Sequence, residues 1–314
     1  MKKYRRRIGT TTDTRSAAVA VAIGTILAVT ACGSGGDGAA DSSSGAGASD
    51  QKVQAAAKND KAIAQLPDEI KKRGEIVVAM DFSSPPNHFT AKDGKTVVGV
   101  DADMAKLLGQ ALGMKVKIAG ANFDDIIPGL AGKKYDIAIA QMSATKERQK
   151  VLDFVDYFSS GTAVAVKAGN PQKLGLDNLC GRKIAVLKGS FQQSVRLPGF
   201  SDKCSKAGKP AIEAKAFPDQ QATVLALTSG RVEGVMQDSP VLDYAKKEGA
   251  AIDIAGVAFV SPVGIGITKG SGLLEPIHTA MEDLVTSKSY QQVLDKWGVS
   301  DSGVKEAKIN NITD

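Results

Sequence analysis

Histidine and cysteine are the usual ligands of zinc and frequent members of nucleophile–base pairs, and this 314-residue chain contains few of either. The two histidines, His88 and His278, lie far apart in sequence with no cysteine near them. The cysteines are Cys32, Cys180 and Cys204. This spacing predicts no metal site, no cofactor and no catalytic nucleophile, and it argues against an enzyme. His88 is expected to be a solvated loop residue.

The positive charge of the chain is concentrated in its first residues. The formal net charge is +6, and residues 1–31 carry +5 of it, which leaves +1 from Cys32 onward. A protein that binds nucleic acid presents basic residues on a folded face, so we expect no nucleic-acid partner. The 43% hydrophobic content is enough to fill the cores of about two domains.

The leader has the organisation of a secretory signal peptide. Basic residues within positions 2–15 precede fifteen small or apolar residues, Ala17 to Ala31, whereas a helix that spans a bilayer needs about 20. We therefore predict a signal peptide over residues 1–31 and no transmembrane helix. Val29-Thr30-Ala31-Cys32 resembles the lipobox of bacterial lipoproteins, in which the cysteine is lipidated and the leader is removed.

Residues 32–52 would then form a lipidated cysteine and a flexible tether, because Gly33 to Asp50 is almost entirely Gly, Ser, Ala and Asp. As a flexible coil, this tether has an r.m.s. reach of roughly 25 Å. The alternative is an ordinary signal peptide in which Cys32 occurs by chance.

Cys180 and Cys204 remain for a disulfide in an oxidising compartment. They are 24 residues apart, and closing a loop of that length would stabilise the fold by about 3.5 kcal/mol on the chain-entropy model. The alternative is a pair of buried thiols.

The rest of the chain alternates between short apolar runs and amphipathic segments. The apolar runs predict these strands: Glu75–Met80, Thr96–Val100, Lys115–Ala119, Tyr135–Met142, Ala163–Lys167, Lys183–Leu187, Ile212–Ala216, Gly234–Gln237 and Gly264–Thr268. The other segments predict these helices: Val53–Gln65, Asp101–Leu112, Asp124–Ala131, Lys146–Leu152, Ala222–Ser229, Ser239–Glu248, Leu273–Ser287 and Ser289–Lys296, with a short one before Gly74. This alternation favours parallel sheets with helices on both faces, in two α/β sets.

Five stretches of the chain have the order and spacing of one protein family. They are V-V-G-V-D-A-D-M-A-K-L-L-G (97–109), F-D-D-I-I-P-G-L (123–130) continuing to 140, residues 142–162, L-C-G-R-K-I-A-V-L-K-G-S (179–190) and S-G-R-V-E-G-V-M-Q-D-S-P-V (229–241). They resemble the polar-amino-acid-type (family 3) extracellular solute-binding lipoproteins of ABC importers. The resemblance runs from about Leu66 to Trp297.

The resemblance implies an α/β fold of the periplasmic-binding-protein type II: two lobes joined by two hinge strands, with a ligand cleft between the lobes. Lobe 1 would comprise residues 53–161 and a return segment, 262–314, and lobe 2 would comprise residues 162–261. The hinge strands would run near Ser160–Val164 and Phe259–Val263. Open α/β sheets bind ligands at the carboxyl ends of their strands, which agrees with that cleft.

A free amino acid is a zwitterion, and its removal from water is costly unless both charges are met. The resemblance assigns the ligand carboxylate to Arg148, in a Ser-x-Thr-x-x-Arg pattern that begins at Ser143, with further donors from Ser190. It assigns the ligand ammonium to Asp238. Taken singly, Arg148 could pair with a surface carboxylate instead, and Asp238 could cap a helix.

Other candidates for the ligand site follow from the same resemblance. Asp81 would meet the ligand amine or a cationic side chain, and Phe82 or Phe123 would give an apolar contact. The remaining candidates are Ala140, Gln141, Met142, Leu187, Phe191 and Gln192. Asp81 favours a basic ligand, whereas Gln141 and Gln192 suit an amide or a second carboxylate equally well, so the side chain of the ligand stays open. The chain departs from the family at Ser84, where many members have an aromatic residue.

The function implied is that of a monomeric, lipid-anchored protein on the extracytoplasmic face of the cell membrane. It would capture a polar amino acid and deliver it to ABC permease subunits. The chain has no G-x-x-x-x-G-K-[ST] motif, so the ATPase behind the permease would be a separate chain. The alternatives are an extracytoplasmic enzyme on the same fold, similar to cyclohexadienyl dehydratases, and a ligand-sensing lipoprotein without transport.

Overall fold

The structure is a computed structural model, and it describes residues 51–312. The predicted signal peptide, the predicted lipidation site at Cys32 and most of the predicted tether lie outside the described residues.

Two sheets organise the described part of the chain. Its strands are β1 (Glu75–Met80), β2 (Ser83–Ser84), β3 (His88–Thr90), β4 (Val97–Val98), β5 (Lys115–Gly120), β6 (Ile137–Met142), β7 (Leu152–Lys167), β8 (Lys183–Leu187), β9 (Glu213–Phe217), β10 (Gly234–Asp238) and β11 (Ile252–Thr268). The larger sheet has eight strands in the order β5-β1-β6-β11-β7-β10-β8-β9, and β2, β3 and β4 form the smaller one.

Helices cover both faces of the large sheet. They are α1 (Asp60–Gln65), α2 (Asp68–Arg73), α3 (Val100–Ala111), α4 (Ile126–Ala131), α5 (Leu197–Lys206), α6 (Gln220–Thr228), α7 (Ser239–Lys247), α8 (Leu274–Val285) and α9 (Lys288–Lys296). A π-helical turn, Gln192–Arg196, leads directly into α5, and a 3₁₀ turn, Arg148–Lys150, precedes β7.

The long strands β7 and β11 run antiparallel through the middle of the large sheet. β1, β5 and β6 pair in parallel on one side of them, and β8, β9 and β10 contain the parallel pairs on the other. Parallel pairs occur within each strand set, as expected, and the antiparallel strands β7 and β11 join both sets into one mixed sheet. The elements around β1, β5 and β6 form the first lobe, and those around β8, β9 and β10 form the second.

Each lobe buries its own apolar residues on both faces of the sheet. In the first lobe, one core packs α3, α8 and α9 onto the sheet, and a second surrounds Ile126 and Phe154. In the second lobe, the two cores surround Val186 and Val235. The predicted hinge segments fall within β7 and β11, where Ser160 pairs with Ser261. The exact domain boundaries remain predictions.

The predicted disulfide is confirmed. Cys180 and Cys204 are bonded, with 5.5 Å between their Cα atoms, and the bond ties the loop before β8 to α5 in the second lobe.

The described tail runs back along the first-lobe part of β7. The Asp156 amide donates to the Lys308 carbonyl over 3.0 Å, and the Asn310 amide donates to the Phe154 carbonyl over 2.9 Å. The Asn310 side chain accepts from the Phe154 amide and donates to Asp153 Oδ1. The tail therefore covers an edge of β7 that would otherwise be unpaired.

Two predicted helices are wrong in extent. The segment before Asp60 is not helical, because Gln54 and Ala56 donate their amides to the side chains of Gln292 and Gln110 on neighbouring helices. The prediction over Lys146–Leu152 is replaced by a 3₁₀ turn, since β7 already begins at Leu152.

Candidate functional site

A cavity lies between the two lobes, at the carboxyl ends of β1, β6, β8 and β10. The space between its lining atoms amounts to about 370 Å³, which includes open solvent. Eleven of the candidate residues line it: Asp81, Phe123, Ala140, Gln141, Ser143, Arg148, Leu187, Ser190, Phe191, Gln192 and Asp238. Their roles toward a ligand remain predictions.

Arg148 enters the cavity from the 3₁₀ turn after β6, and its side chain contacts both lobes. Its guanidinium donates to the Ser143 carbonyl over 2.9 Å and to the Gly189 carbonyl of the second lobe over 3.0 Å. The Phe123 ring lies 5.6 Å from the guanidinium carbon. Burial lowers the pKa of Arg148 to about 10, so the group is still a cation at neutral pH. A buried guanidinium of this kind suits a ligand carboxylate.

Asp238 lies at the end of β10, where α7 begins. Its side chain makes no capping hydrogen bond to α7, and Oδ1 accepts from Gln192 Nε2 over 2.8 Å. Burial raises the pKa of Asp238 to about 6, against the opposing effects of the Gln192 hydrogen bond and His88. The carboxylate is therefore mostly ionised at pH 7, and with Arg148 it supplies the two opposite charges that a zwitterion requires.

His88 is buried, which contradicts the expectation of a solvated loop residue. Its Nε2 lies 2.8 Å from Asp81 Oδ2, and its Nδ1 lies 2.6 Å from Asp101 Oδ2. Burial would lower the pKa of the imidazole, but the two carboxylates raise it to about 10. His88 is thus an imidazolium at neutral pH. The same contact outweighs the burial of Asp81 and lowers the pKa of that carboxyl group.

Asp101 is the centre of a network behind the cavity wall. Its Oδ1 accepts from Gln141 Nε2 over 2.7 Å and from the Tyr157 hydroxyl over 2.8 Å. Burial and the neighbouring Asp101 charge raise the pKa of Tyr157 well above its usual value, so the hydroxyl keeps its proton. The network holds the Gln141 side chain in place. The backbone of Gln141 has a positive φ of 53°.

Phe82 and Met142 are the two candidates that do not line the cavity. The Phe82 ring packs where a side chain at Gly120 would be. Met142 belongs to the core around Phe154, and its sulfur lies beside Gly266.

Four lining residues are absent from the sequence-based set: Ser84, Asn87, His88 and Gln220. Asn87 and Gln220 each carry buried polar atoms without a hydrogen-bond partner. In the sequence, Asn87 and His88 form a polar pair directly after two prolines. No periodic pattern distinguishes this pair from the residues of an ordinary loop.

Direct contacts hold the two lobes together across the cavity mouth. Lys188 Nζ lies 2.7 Å from Asp124 Oδ2, and the Gln220 amide donates to Ser83 Oγ over 3.3 Å. A Cβ atom at Gly189 would lie only 2.9 Å from the Asp124 Cβ. The lobes are therefore closed on one another.

Within residues 51–312, no group of His, Cys, Asp and Glu side chains is arranged to hold a metal ion. None of the helices of that part of the chain has the length and apolar character needed to cross a membrane.

The mixed sheet shared by two lobes, with an ion-lined cavity between them, defines a two-lobed solute-binding protein. Residues 76–300 match the bacterial extracellular solute-binding proteins, family 3. The chain belongs to this family, which confirms the resemblance found in its sequence, and it acts as a solute-binding component.

Among characterised relatives, the arginine-binding protein ArgT of Corynebacterium glutamicum is 24% identical over 249 residues, covering 79% of this chain and 82% of that protein. The L-cystine-binding protein TcyJ of Escherichia coli K12 is 26% identical over 238 residues, covering 74% and 85%.

Solved structures agree with this assignment. An ancestral arginine-binding protein bound to arginine has 36% identity and a TM-score of 0.65, covering 72% of this chain and 98% of that one. The ancestral amino acid-binding protein AncCDT-1, a precursor of cyclohexadienyl dehydratase, has 31% identity and a TM-score of 0.63, covering 73% and 98%.

Proposed function

We propose that the protein captures a polar amino acid in this cavity and delivers it to the permease of an ABC importer. The observation that carries the proposal is the presence of Arg148 and Asp238 on the wall of one cavity. Arg148 would bind the α-carboxylate, with Ser190 as a further donor, and Asp238 would bind the α-ammonium. The arginine- and cystine-binding relatives support an amino acid as the ligand.

The cellular setting is part of the same proposal. Cys32 would carry a lipid that anchors the monomeric protein on the extracytoplasmic face of the membrane, with residues 33–52 as the tether. The first lobe would comprise residues 53–161 and 262–314, and the second lobe residues 162–261. The ligand would favour the closed state because its two charged ends contact side chains from both lobes.

The dehydratase-like alternative needs a free general acid or base in the cavity. Both ring nitrogens of His88 are held by carboxylates. His88 is therefore poorly placed to exchange a proton with a substrate.

A thermal-shift screen of the purified protein against the twenty amino acids, ornithine and citrulline tests the proposal. A ligand at 100 times its dissociation constant adds about 2.7 kcal/mol to the free energy of unfolding, which raises Tm by several degrees at this size. Arg148→Met removes the guanidinium but keeps an unbranched stem, so we expect it to abolish the shift.

Arg182→Met is the matched control, since the Arg182 guanidinium pairs with Glu233 outside the cavity. It should lose a little stability and keep the ligand-induced shift. The absence of a shift with every compound, or a full shift in Arg148→Met, would contradict the proposal.

A further inference from the structure

Phe191 lines the cavity at the start of an unusual helical turn. Its side chain is buried, and the π-helical turn Gln192–Arg196 begins directly after it. The Leu197 amide donates to the Gln192 carbonyl, five residues earlier. Such turns are rare in proteins and frequently lie at functional sites. The geometry of this turn therefore calls for a physical reason.

The π-helical turn brings together two side chains that an α-helix would separate. Phe191 and Arg196 are five residues apart, whereas side chains three or four residues apart are neighbours on an α-helix. The wider turn has an i→i+5 pattern, so residues five apart lie on the same side of it. The guanidinium carbon of Arg196 lies over the Phe191 ring, 4.5 Å from its centroid.

The same guanidinium contacts a second ring, which belongs to β11. Its carbon lies 4.5 Å from the centroid of the Phe259 ring. The Phe200 ring of α5 packs edge-on against Phe259, with 5.9 Å between the ring centroids. Arg196 thus connects a residue of the cavity wall to the predicted hinge segment Phe259–Val263.

The backbone of Phe259 has an unfavourable conformation. Its φ is 59°, and the pairing of β11 with β7 changes register between Ala258 and Ser261. A bulky residue with a positive φ is strained, and such strain persists only where the surrounding structure holds it in place. The ring contacts with Arg196 and Phe200 supply that restraint.

Arg196 has no ion pair that would explain its position. Burial lowers the pKa of its guanidinium, and no carboxylate within residues 51–312 opposes that effect. Its Nε is buried without a hydrogen-bond partner. Removing a cation from water without a counter-ion is costly, but the face of an aromatic ring attracts a desolvated guanidinium. The two ring contacts therefore account for an arginine at this position.

We propose that Arg196 is a positioning residue of the ligand site, which stacks on Phe259 of the hinge segment and thereby holds the Phe191 ring in place on the cavity wall. This inference rests on the proposed function. Arg196 does not itself line the cavity, so its effect on affinity passes through Phe191.

Isothermal titration of wild type and Arg196→Met tests the inference. The probes are L-arginine, L-glutamine and any other compound of the thermal-shift panel that wild type binds. Methionine removes the guanidinium but keeps an unbranched stem, so we expect Kd to rise about fivefold. A Kd within about twofold of the wild-type value overturns the inference and leaves the proposed function standing. Failure of wild type to bind any compound of the panel overturns both.

Arg231→Met is the matched control. The Arg231 guanidinium carbon lies 5.9 Å from the centroid of the Phe217 ring, in the same lobe, and neither residue lines the cavity. The variant removes the same kind of contact and should leave Kd unchanged. An equal rise in Kd in Arg231→Met and Arg196→Met would show a general effect on the second lobe, which overturns the inference.

A thermodynamic cycle separates positioning from a loss of stability. In the Phe191→Leu background, Arg196→Met should cause no further rise in Kd, because the ring that the guanidinium positions is gone. The same fold-change in both backgrounds overturns the claim that Arg196 acts through Phe191.

Two substitutions at Phe259 test the other end of the stack. Phe259→Tyr keeps the ring and should bind as wild type does, whereas Phe259→Leu loses the ring and should raise Kd about as much as Arg196→Met. Equal Kd values in the two Phe259 variants overturn the role of this residue. If Arg196→Met fails to fold, the comparison of Phe259→Tyr with Phe259→Leu decides the inference.

Discussion

At the residue scale, Asp238 gives the cavity a pH dependence of definite sign. Burial raises its pKa to about 6, and an ammonium can pair only with the ionised form. We therefore expect the Kd for the ligand to be about tenfold higher at pH 5 than at pH 7, since the ionised fraction falls by about that factor. Titrations at a series of pH values measure this directly.

The stability of the free protein should change in the opposite direction over the same range. The folded pKa of Asp238 lies above its ordinary value of 3.8, so the folded state binds more protons between pH 4 and pH 6. The contribution of this group to the free energy of unfolding therefore falls as the pH rises through that window.

Asp156 provides the matched control for the binding measurement. Burial raises its pKa to about 6 as well, but it lies on β7 beside Asn311, and it does not line the cavity. Asp156→Asn should keep the pH dependence of Kd, whereas Asp238→Asn should bind weakly and remove it. A pH-dependent Kd in Asp238→Asn would contradict the assignment.

At the residue scale, some residues of the cavity could be predicted from the sequence and others could not. Arg148 and Asp238 were found because each follows a strand inside a long, ordered resemblance. Asn87 and His88 were missed because their burial depends on contacts that are distant in sequence, above all the pairing of His88 with Asp101. A lone polar residue in a loop carries no local signal for such a partner.

At the scale of elements, the tail along β7 depends on Asn310. This residue has a positive φ of 52°, and its side chain bonds to both Phe154 and Asp153. Asn310→Ala loses these bonds and disfavours the local conformation, so we expect a loss of about 2 kcal/mol in the free energy of unfolding. Denaturant titration measures the loss, and hydrogen exchange at the Phe154 amide should accelerate.

Asn170→Ala is the comparison for that experiment. Asn170 also has a positive φ, of 43°, and its side chain donates to and accepts from the backbone of Leu174 in the same loop. The control should lose stability without faster exchange at Phe154. Equal acceleration in both variants would argue that the tail does not protect β7.

The strands near the lobe junction show which elements the sequence predicts and which it does not. The predicted strands Lys183–Leu187 and Gly234–Gln237 agree with β8 and β10. They could be predicted because each is a buried apolar run with clear ends. Within β7, the apolar pattern predicted Ala163–Lys167 and the family resemblance added a hinge strand near Ser160–Val164, so the first half of the strand was missed. Polar residues such as Asp153 and Ser159 interrupt its apolar run, and its pairing with β11 overrides the local pattern.

At the scale of the whole molecule, the closed arrangement depends on the absence of a side chain at Gly189. This residue has φ of 75°, and a Cβ atom there would collide with Asp124 across the cavity mouth. Gly189→Ala should therefore disfavour closure and weaken ligand binding at least tenfold. Titration gives the affinity, and small-angle scattering with and without ligand gives the change in radius of gyration.

Gly208→Ala supplies the control, because Gly208 has φ of 68° with open space around its Cβ position. Both variants should lose about 1 kcal/mol of stability through backbone strain. Only Gly189→Ala should lose affinity, and comparable affinities in the two variants would rule out a role for this contact in closure.

The mixed sheet also has a consequence for how the chain reaches its native state. One core of the first lobe joins Ile76 and Leu108 from early in the chain to Ile277 and Val293 near its end. Those early apolar surfaces cannot be covered until the last helices of the chain are available to pack on them. The second lobe is one uninterrupted stretch apart from its pairing with β11, so it can assemble sooner. The first lobe therefore completes its folding last, and its unfinished half is the part most exposed to aggregation in the interval.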